Sequence, residues 1–158
     1  MPALHNGDAF PSLTVDAAGG GTISLPGDLA SSFGVILIYR GSWCPYCNAQ
    51  LVGFSRAADK LDELGIKVVA LSADDEAAAA ALVAKHRLTF PVGYGAAANK
   101  IAAATGAYTN DDPPYLQSTG FVLDPGGKVL TAVYSTGAIG RLVAEDVVGF
   151  VRYVKSKA

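Results

Sequence analysis

Residues 34–47, with the sequence GVILIYRGSWCPYC, decide the fold of this 158-residue chain. The apolar run GVILIY (34–39) is too short for a buried helix and rich in β-forming residues, so it predicts a central strand. Both cysteines of the chain follow this run, and two residues separate them. Pro45 comes directly after Cys44, and proline suits the first turn of a helix because its missing N–H has no partner there. The stretch therefore predicts a strand, a Cys-x-x-Cys pair and a helix in that order.

The bulk composition is typical of one folded domain over residues 1–158. Hydrophobic residues make up 51% of the chain and charged residues 16%, and the formal charge is only −2. Without a basic stripe we expect no nucleic-acid partner. The N-terminus MPALHNGDAF (1–10) lacks the cationic and apolar regions of a signal peptide, and no apolar run approaches the ~20 residues of a membrane helix. We expect a soluble cytoplasmic protein without a membrane contact, whose low charge content permits a homodimer without requiring one.

Hydrophobic periodicity and turn residues predict the other elements. Two short strands at 12–15 and 22–25 flank a turn at 17–21. After the central strand we predict a helix over 45–64, a strand at 66–72, a helix at 73–87, an extended segment at 89–94, a small helix at 96–105, a loop at 108–118, a hairpin of 120–124 and 128–135, and a helix over 144–157. This order predicts an α/β, thioredoxin-like fold with a mixed central sheet, helices on both faces and an N-terminal β extension.

The two cysteines are predicted to be unequal. Cys44 falls at the start of a helix, where free N–H groups and the helix dipole favour its thiolate. Cys47 lies three residues further along, on the same face of the helix and within reach for a disulfide. We therefore expect Cys44 to be the exposed, attacking thiolate with a low pKa, and Cys47 to be the more buried, resolving thiol.

Three other roles exist for such a pair. A zinc site needs four ligands, whereas this chain offers two cysteines and the distant His5 and His86. An inert disulfide would close a loop of only two intervening residues and would stabilise little. Two unreactive core thiols fit poorly between a strand and a helix. A catalytic redox pair is the favoured interpretation, and we expect no metal and no cofactor.

Three stretches together resemble a known family. YRGSWCPYCNAQL (39–51) resembles the active-site region of peroxiredoxin-like proteins of the alkyl hydroperoxide reductase/thiol-specific antioxidant group. GDAFPSLTVDAAGGGTISL (7–25) is similar to their N-terminal pattern, and TGFVLDPGGKVLTAVYS (119–135) to their late hairpin. The resemblance implies a thiol-dependent antioxidant oxidoreductase that reduces hydroperoxides, with Cys44 attacking and Cys47 resolving. It also implies a thioredoxin-like or low-molecular-weight thiol as the reductant.

The chain departs from this family at positions that support the attacking cysteine. Peroxiredoxins carry Pro and Thr seven and three residues before that cysteine, where this chain has Leu37 and Gly41. Their active-site arginine, like the cis-proline of thioredoxins, corresponds to Ser118. Cys-Pro-Tyr-Cys is also the dithiol of glutaredoxins. The alternative function is therefore a thiol-disulfide oxidoreductase acting on protein or small-molecule disulfides, and a further alternative is a non-catalytic redox sensor.

Four residues beside the cysteines have predicted supporting roles. Arg40 is either a surface arginine at a strand end or a cation that stabilises the thiolate and binds a peroxide oxygen. Trp43 would both shield the helix start and offer a flat surface to substrates. Pro45 would begin the helix, and Tyr46, between the two thiols, would face solvent or a partner.

Residues more distant in sequence complete the predicted site. Ser118 and Thr119 would present backbone groups to a substrate. No Asp or Glu flanks the strand near Ile38, so the sequence shows no proton acceptor for Cys47. Tyr39 is predicted to lie in the core, with a hydroxyl donor at the site as the alternative. Structural roles are predicted for Asn48 and Gln50 on a solvated helix face and for His86 at a helix end.

Overall fold

One mixed sheet of seven strands divides the molecule. The structure is a computed structural model that describes residues 3–158, and within this range the chain forms nine strands and five α-helices. The strands are β1 (Leu13–Ala17), β2 (Thr22–Leu25), β3 (Phe33–Ile38), β4 (Ile66–Leu71), β5 (Val92–Tyr94), β6 (Thr109–Asp111), β7 (Pro114–Leu116), β8 (Thr119–Leu123) and β9 (Val129–Tyr134). The helices are α1 (Pro45–Arg56), α2 (Ala58–Glu63), α3 (Glu76–His86), α4 (Ala98–Thr105) and α5 (Ala144–Ser156).

The strand order across the large sheet is β2-β1-β5-β4-β3-β8-β9. The interior strand β3 runs parallel to β4 and antiparallel to β8, and β4 runs parallel to β5. All other pairs in this sheet are antiparallel, and β1 and β2 extend it beyond β5. The predicted mixed sheet with an N-terminal β extension is confirmed.

Helices cover both faces of the sheet because side chains alternate along its strands. Val35 and Leu37 of β3 belong to a core that α1, α2, α3 and α5 cover. Ile36 and Ile38 belong to a second core, which contains residues of α4 and of the N-terminal segment. All four side chains are at most 1% exposed, so β3 is buried on both sides, as its continuous apolar run predicts.

The helix predicted over 45–64 is two helices. Ala57 separates α1 from α2, with φ −89° and ψ 8°, and its N–H donates to the carbonyl of Gly53. Leu61 of α2 is buried at 3% exposure and packs in the same core as Phe54 of α1. The apolar spacing of three and four residues continues through the break, and for that reason the sequence pattern does not reveal it.

The prediction of a loop over 108–118 is wrong, because this segment contains a small hairpin. β6 and β7 pair antiparallel, with Thr109 opposite Leu116 and Asp111 opposite Pro114. Proline is tolerated in β7 because the hairpin is a separate two-stranded sheet, in which the proline N faces no third strand. The side chain of Asn110 donates to the carbonyl of Pro113 across the turn.

The remaining predicted elements differ from the observed ones only at their ends. The helix predicted from residue 73 begins at Glu76, because Asp75 is its N-cap and accepts a hydrogen bond from the N–H of Ala78 at 2.8 Å. In α5, Val147, Val148 and Val151 are buried, as its spacing predicts. Within residues 3–158, no helix is long and apolar enough to cross a membrane.

Candidate active site

The junction of β3 and α1 places the two cysteines at one end of the sheet. Cys44 is the N-cap of α1, and its Sγ accepts a hydrogen bond from the N–H of Cys47 at 3.3 Å. Pro45 is the first helical residue, and Tyr46 beside it is 54% exposed. The predicted order of strand, Cys-x-x-Cys and helix is confirmed, and so is the solvent-facing position of Tyr46.

The two thiols are in direct contact. They are free, and their Sγ atoms lie 2.6 Å apart. Both side chains are 0% exposed, so the prediction of an exposed Cys44 is wrong. The guanidinium of Arg40 lies against Cys44, and the rings of the neighbouring Trp43 and the distant Tyr115 pack on that guanidinium.

The surroundings of the two sulfurs separate their pKa values. Burial opposes a charge on Cys44, but hydrogen bonds from the thiol and N–H of Cys47 and from Arg40, together with the charge of Arg141, lower its pKa. Burial and the hydrogen bond with Cys44 raise the pKa of Cys47, although the N–H of Arg40 and the charge of Arg141 oppose this. The pKa order is therefore the one that the sequence predicts. The roles of attacking and resolving thiol stay predictions.

Arg40 is held in place by three groups besides the cysteine. Its Nη1 lies 3.9 Å from the Sγ of Cys44, and its Nε donates to Oε1 of Gln117 at 2.9 Å. Its Nη2 donates to the hydroxyl of Tyr115 at 3.2 Å, and its guanidinium lies 5.0 Å from the centroid of the Trp43 ring. Of the two sequence interpretations, the geometry matches the cation beside the thiol rather than a solvated arginine.

Trp43 packs against Gly41, one of the positions at which the chain departs from the family pattern. The indole packs edge-on against Tyr115, with centroids 5.0 Å apart, and is 54% exposed. A Cβ atom added at Gly41 would clash with Nε1 of Trp43. The tryptophan ring therefore occupies the space that a threonine at position 41 would fill.

Arg141 reaches the site from the segment between β9 and α5, and the sequence analysis missed it. Its Nη2 lies 3.5 Å from the Sγ of Cys47, and its Nη1 donates to Oε1 of Gln50 at 2.7 Å. Gln50 is 7% exposed, and its Nε2 donates to the carbonyl of Leu142 at 2.8 Å. The prediction of a solvated Gln50 is wrong because this amide faces the arginine segment. No periodicity or motif in the sequence points to Arg141.

Ser118 and Thr119 lie inside the sheet and have no polar contact with the thiols. They are 1% and 2% exposed, and the carbonyl of Ser118 accepts a hydrogen bond from the N–H of Ser135. Thr119 pairs with Ile38 of β3 and with β9. Within the described residues, neither one hydrogen-bonds to a cysteine, and the preceding Gln117 contacts Arg40 instead.

Asp74 supplies an acid near the site that the sequence analysis did not identify. It follows β4, and its Oδ2 accepts a hydrogen bond from the N–H of Ser42 at 2.8 Å. Burial raises the pKa of Asp74, although the hydrogen bond from Ser42 opposes this shift.

Tyr39 is 0% exposed, which confirms its place in the core, and burial raises the pKa of its hydroxyl.

The two histidines lie apart from the cysteine pair. His86 is the last residue of α3, as predicted, and His5 contacts Asp8 at the N-terminal end of the described chain. Among residues 3–158, no three His, Cys, Asp or Glu side chains are grouped so that they could hold a metal ion.

Comparison with known proteins yields both enzyme classes that the sequence suggests. A profile of the AhpC/TSA family matches residues 6–132. A peroxiredoxin of Treponema denticola is 32% identical over 93% of this chain and 71% of its own length. A thiol-disulfide oxidoreductase ResA of Bacillus cereus is 30% identical over 96% of this chain and 79% of its own length.

Solved structures support the same fold. Mycobacterium bovis AhpC superposes with a TM-score of 0.85 and 20% sequence identity, and the match covers 100% of this chain and 96% of that one. The family profile spans most of the chain, including β3, the cysteine pair, β8 and the first part of β9. The chain therefore belongs to the AhpC/TSA family, as a peroxiredoxin-like oxidoreductase with a thioredoxin fold.

Proposed function

We propose that this protein reduces hydroperoxides, with Cys44 as the attacking thiolate and Cys47 as the resolving thiol. One observation carries the proposal. The Cys44 sulfur has a lowered pKa and lies 2.6 Å from the sulfur of Cys47. A thiolate is the nucleophile that opens a peroxide, and a second thiol at this distance can close a disulfide after little movement.

The reaction begins at Cys44. Its thiolate attacks one oxygen of the peroxide, the O–O bond breaks, and Cys44 becomes a sulfenic acid while the other oxygen leaves as an alcohol or water after taking up a proton. Arg40, with Nη1 3.9 Å from the sulfur, is placed to donate a hydrogen bond to the oxygen on which charge develops. Gln117, Tyr115 and Trp43 hold the guanidinium there.

Cys47 completes the oxidative half of the cycle. Its sulfur attacks the sulfenic sulfur of Cys44, water leaves, and an intramolecular disulfide forms. A thiol reductant of the thioredoxin type or of low molecular weight then returns the pair to two thiols. We place this cycle in the cytoplasm, in a single domain over residues 1–158, and a homodimer stays a prediction.

A second function, disulfide exchange, has its own support. The relatives include a protein named thiol-disulfide oxidoreductase, and the Cys-Pro-Tyr-Cys dithiol suits that reaction. Against it, both sulfurs are 0% exposed, and a peroxide is small enough to reach them more readily than a disulfide held in a polypeptide. Burial therefore favours the peroxidase.

The two functions are separated by assaying wild type, Cys44→Ser and Cys47→Ser side by side. Hydrogen peroxide consumption and reduction of a disulfide substrate are measured with the same reductant. We expect Cys44→Ser to lose peroxide consumption, and Cys47→Ser to form one sulfenic acid per chain without turning over. If only disulfide reduction depends on Cys44, the peroxidase proposal fails. If neither reaction depends on Cys44, the redox sensor is favoured instead.

A further inference from the structure

The sulfur of Cys47 is in contact with a second arginine, Arg141. Nη2 of Arg141 lies 3.5 Å from this Sγ, which also accepts a hydrogen bond from the N–H of Arg40 at 3.4 Å. Attack of Cys44 on a peroxide does not require a charged donor at the second sulfur, since the side chain of Arg40 already serves the first. The charge of Arg141 also lowers the pKa of Cys44, but its guanidinium contacts Cys47, and this contact needs an explanation of its own.

Several hydrogen bonds hold the side chain of Arg141 in position. Its Nη1 donates to Gln50, and its Nε and Nη2 both donate to the carbonyl of Ala138, at 3.1 and 2.6 Å. Gln50 lies three residues after Cys47 on α1, so the two share one helix face. The same buried amide also binds the carbonyl of Leu142. Gln50 thus holds both the guanidinium and the backbone beside it against the second thiol.

We propose that Arg141 stabilises the thiolate of Cys47 when the oxidised pair is reduced, with Gln50 as its positioning residue, and thereby accelerates opening of the disulfide by attack on Cys44. The inference rests on the proposed function, since it concerns how the disulfide of the same two cysteines is reopened.

The step balances with a thiol as the reductant. A donor thiolate forms a bond to the Sγ of Cys44, the Cys44–Cys47 bond breaks, and its electron pair leaves on the Sγ of Cys47 beside the guanidinium. A second donor thiolate then attacks the donor sulfur of the mixed disulfide and releases Cys44 as a thiolate. Two donor thiols become one disulfide. Because a more stable leaving thiolate departs faster, the arginine at Cys47 accelerates attack on Cys44 relative to the same pair without that arginine.

The test compares Arg141→Met with Arg152→Met, a matched control on the exposed side of α5. In a Cys44→Ser background, the alkylation rate of Cys47 is followed against pH. Loss of an adjacent opposite charge should raise the midpoint by about one pH unit, which slows alkylation about tenfold below the midpoint. In otherwise wild-type protein, Arg141→Met should slow reduction of the oxidised pair by dithiothreitol by a similar factor, and Arg152→Met should change neither value.

Two further variants show how the arginine acts. Arg141→Lys keeps the charge and should shift the Cys47 midpoint less than Arg141→Met. Gln50→Leu leaves Arg141 in the chain but removes the hydrogen bond that positions it. This variant should shift the Cys47 midpoint in the same direction as Arg141→Met. If Arg141→Met does not fold, these two variants carry the same comparison against Arg152→Met.

The inference is overturned if Arg141→Met matches Arg152→Met in the Cys47 titration. It is also overturned if Arg141→Met shifts the Cys44 midpoint, measured in a Cys47→Ser background, more than that of Cys47. Neither titration uses peroxide. A wild-type protein that consumes no peroxide would therefore defeat the proposed function while leaving the role of Arg141 to be decided by the thiol data.

Discussion

At the scale of residues, the site consists of two sulfurs with different cations. Arg40 comes from the loop that carries Cys44, whereas Arg141 comes from the opposite end of the sequence and meets Cys47. The sulfur of Cys44 lies at a helix N-terminus and that of Cys47 one turn further in. Burial opposes ionisation of both thiols, but hydrogen bonds from Cys47 and Arg40 lower the pKa of Cys44, whereas burial and the hydrogen bond with Cys44 raise the pKa of Cys47.

Arg40→Met should slow the reaction of Cys44 with hydrogen peroxide by about 10- to 100-fold, because the oxygen that leaves loses a charged hydrogen-bond donor. The rate constant is measured on reduced protein by quenched peroxide consumption. Arg56→Met, an exposed arginine in the last turn of α1, removes the same charge at a distance. Equal rates for the two variants would contradict a role for Arg40 at the sulfur.

The pH dependence of Cys44 should follow from its lowered pKa. The thiolate stays populated below the ordinary thiol value of about 8.5, so the alkylation midpoint of Cys44 should lie under that value. Below this midpoint, the rate should fall about tenfold per pH unit, because only the thiolate reacts. Alkylation at each pH, with the labelled cysteine identified by mass spectrometry, measures this. A midpoint for Cys44 at or above that of Cys47 would contradict the assignment of roles.

At the scale of elements, irregular and short segments carry the polar groups around the thiols. The β6–β7 hairpin and the residues that follow it bring Tyr115 and Gln117 to Arg40. The segment between β9 and α5 brings Arg141 to Cys47. Leu142 in that segment packs over β8, where a Cβ atom added at Gly120 would lie 2.7 Å from its Cδ1. The absence of a side chain at Gly120 therefore lets this segment approach the sheet.

Gly120→Val should destabilise the fold by about 1–3 kcal/mol, because the new side chain must displace the buried Leu142. Urea unfolding measures the change as a shift of the midpoint. The control is Gly149→Ala in α5, where no atom lies within 4 Å of an added Cβ and the substitution should be neutral or slightly stabilising. Equal midpoints for Gly120→Val and wild type would show that the segment packs differently from the structure.

At the scale of the whole molecule, one sheet separates two cores. Phe54 belongs to the core under α1 and α5, and Phe121 of β8 belongs to the core on the other face. Both are 0% exposed. Strands β3 and β8 contribute to both cores, because successive residues point to opposite faces. Loss of either core should therefore destabilise the same sheet.

Phe54→Ala and Phe121→Ala should each lower the free energy of unfolding by about 3–5 kcal/mol, because each leaves a cavity in a packed interior. Each variant should still unfold in one transition, with coincident curves from far-UV circular dichroism and from the fluorescence of Trp43, the sole tryptophan. Two separate transitions in either variant would contradict the proposal of a single domain.

The sequence by itself determined the elements that depend on neighbouring residues. The apolar run before Cys44, the proline after it and the spacing of apolar residues through α1 are local signals, and they predict the strand, the N-cap position and the helix. The direction of the Cys44 pKa shift was also predictable, because the helix N-terminus is part of the same local signal. The cysteine pair, the N-terminal pattern at 7–25 and the late hairpin together indicate the family.

Only the tertiary structure decided what surrounds the two sulfurs. Arg141 meets Cys47 across 94 positions of the chain, and Gln117 meets Arg40 across 77. Neither contact can be predicted from the periodicity of a helix or strand, because both side chains belong to irregular segments. The burial of Cys44 involves Tyr115 of the β6–β7 hairpin, which packs with Trp43 on the guanidinium of Arg40, whereas the local sequence predicts an exposed thiol. Local patterns place the thiols on a helix, whereas their cations and their access to solvent depend on long-range packing.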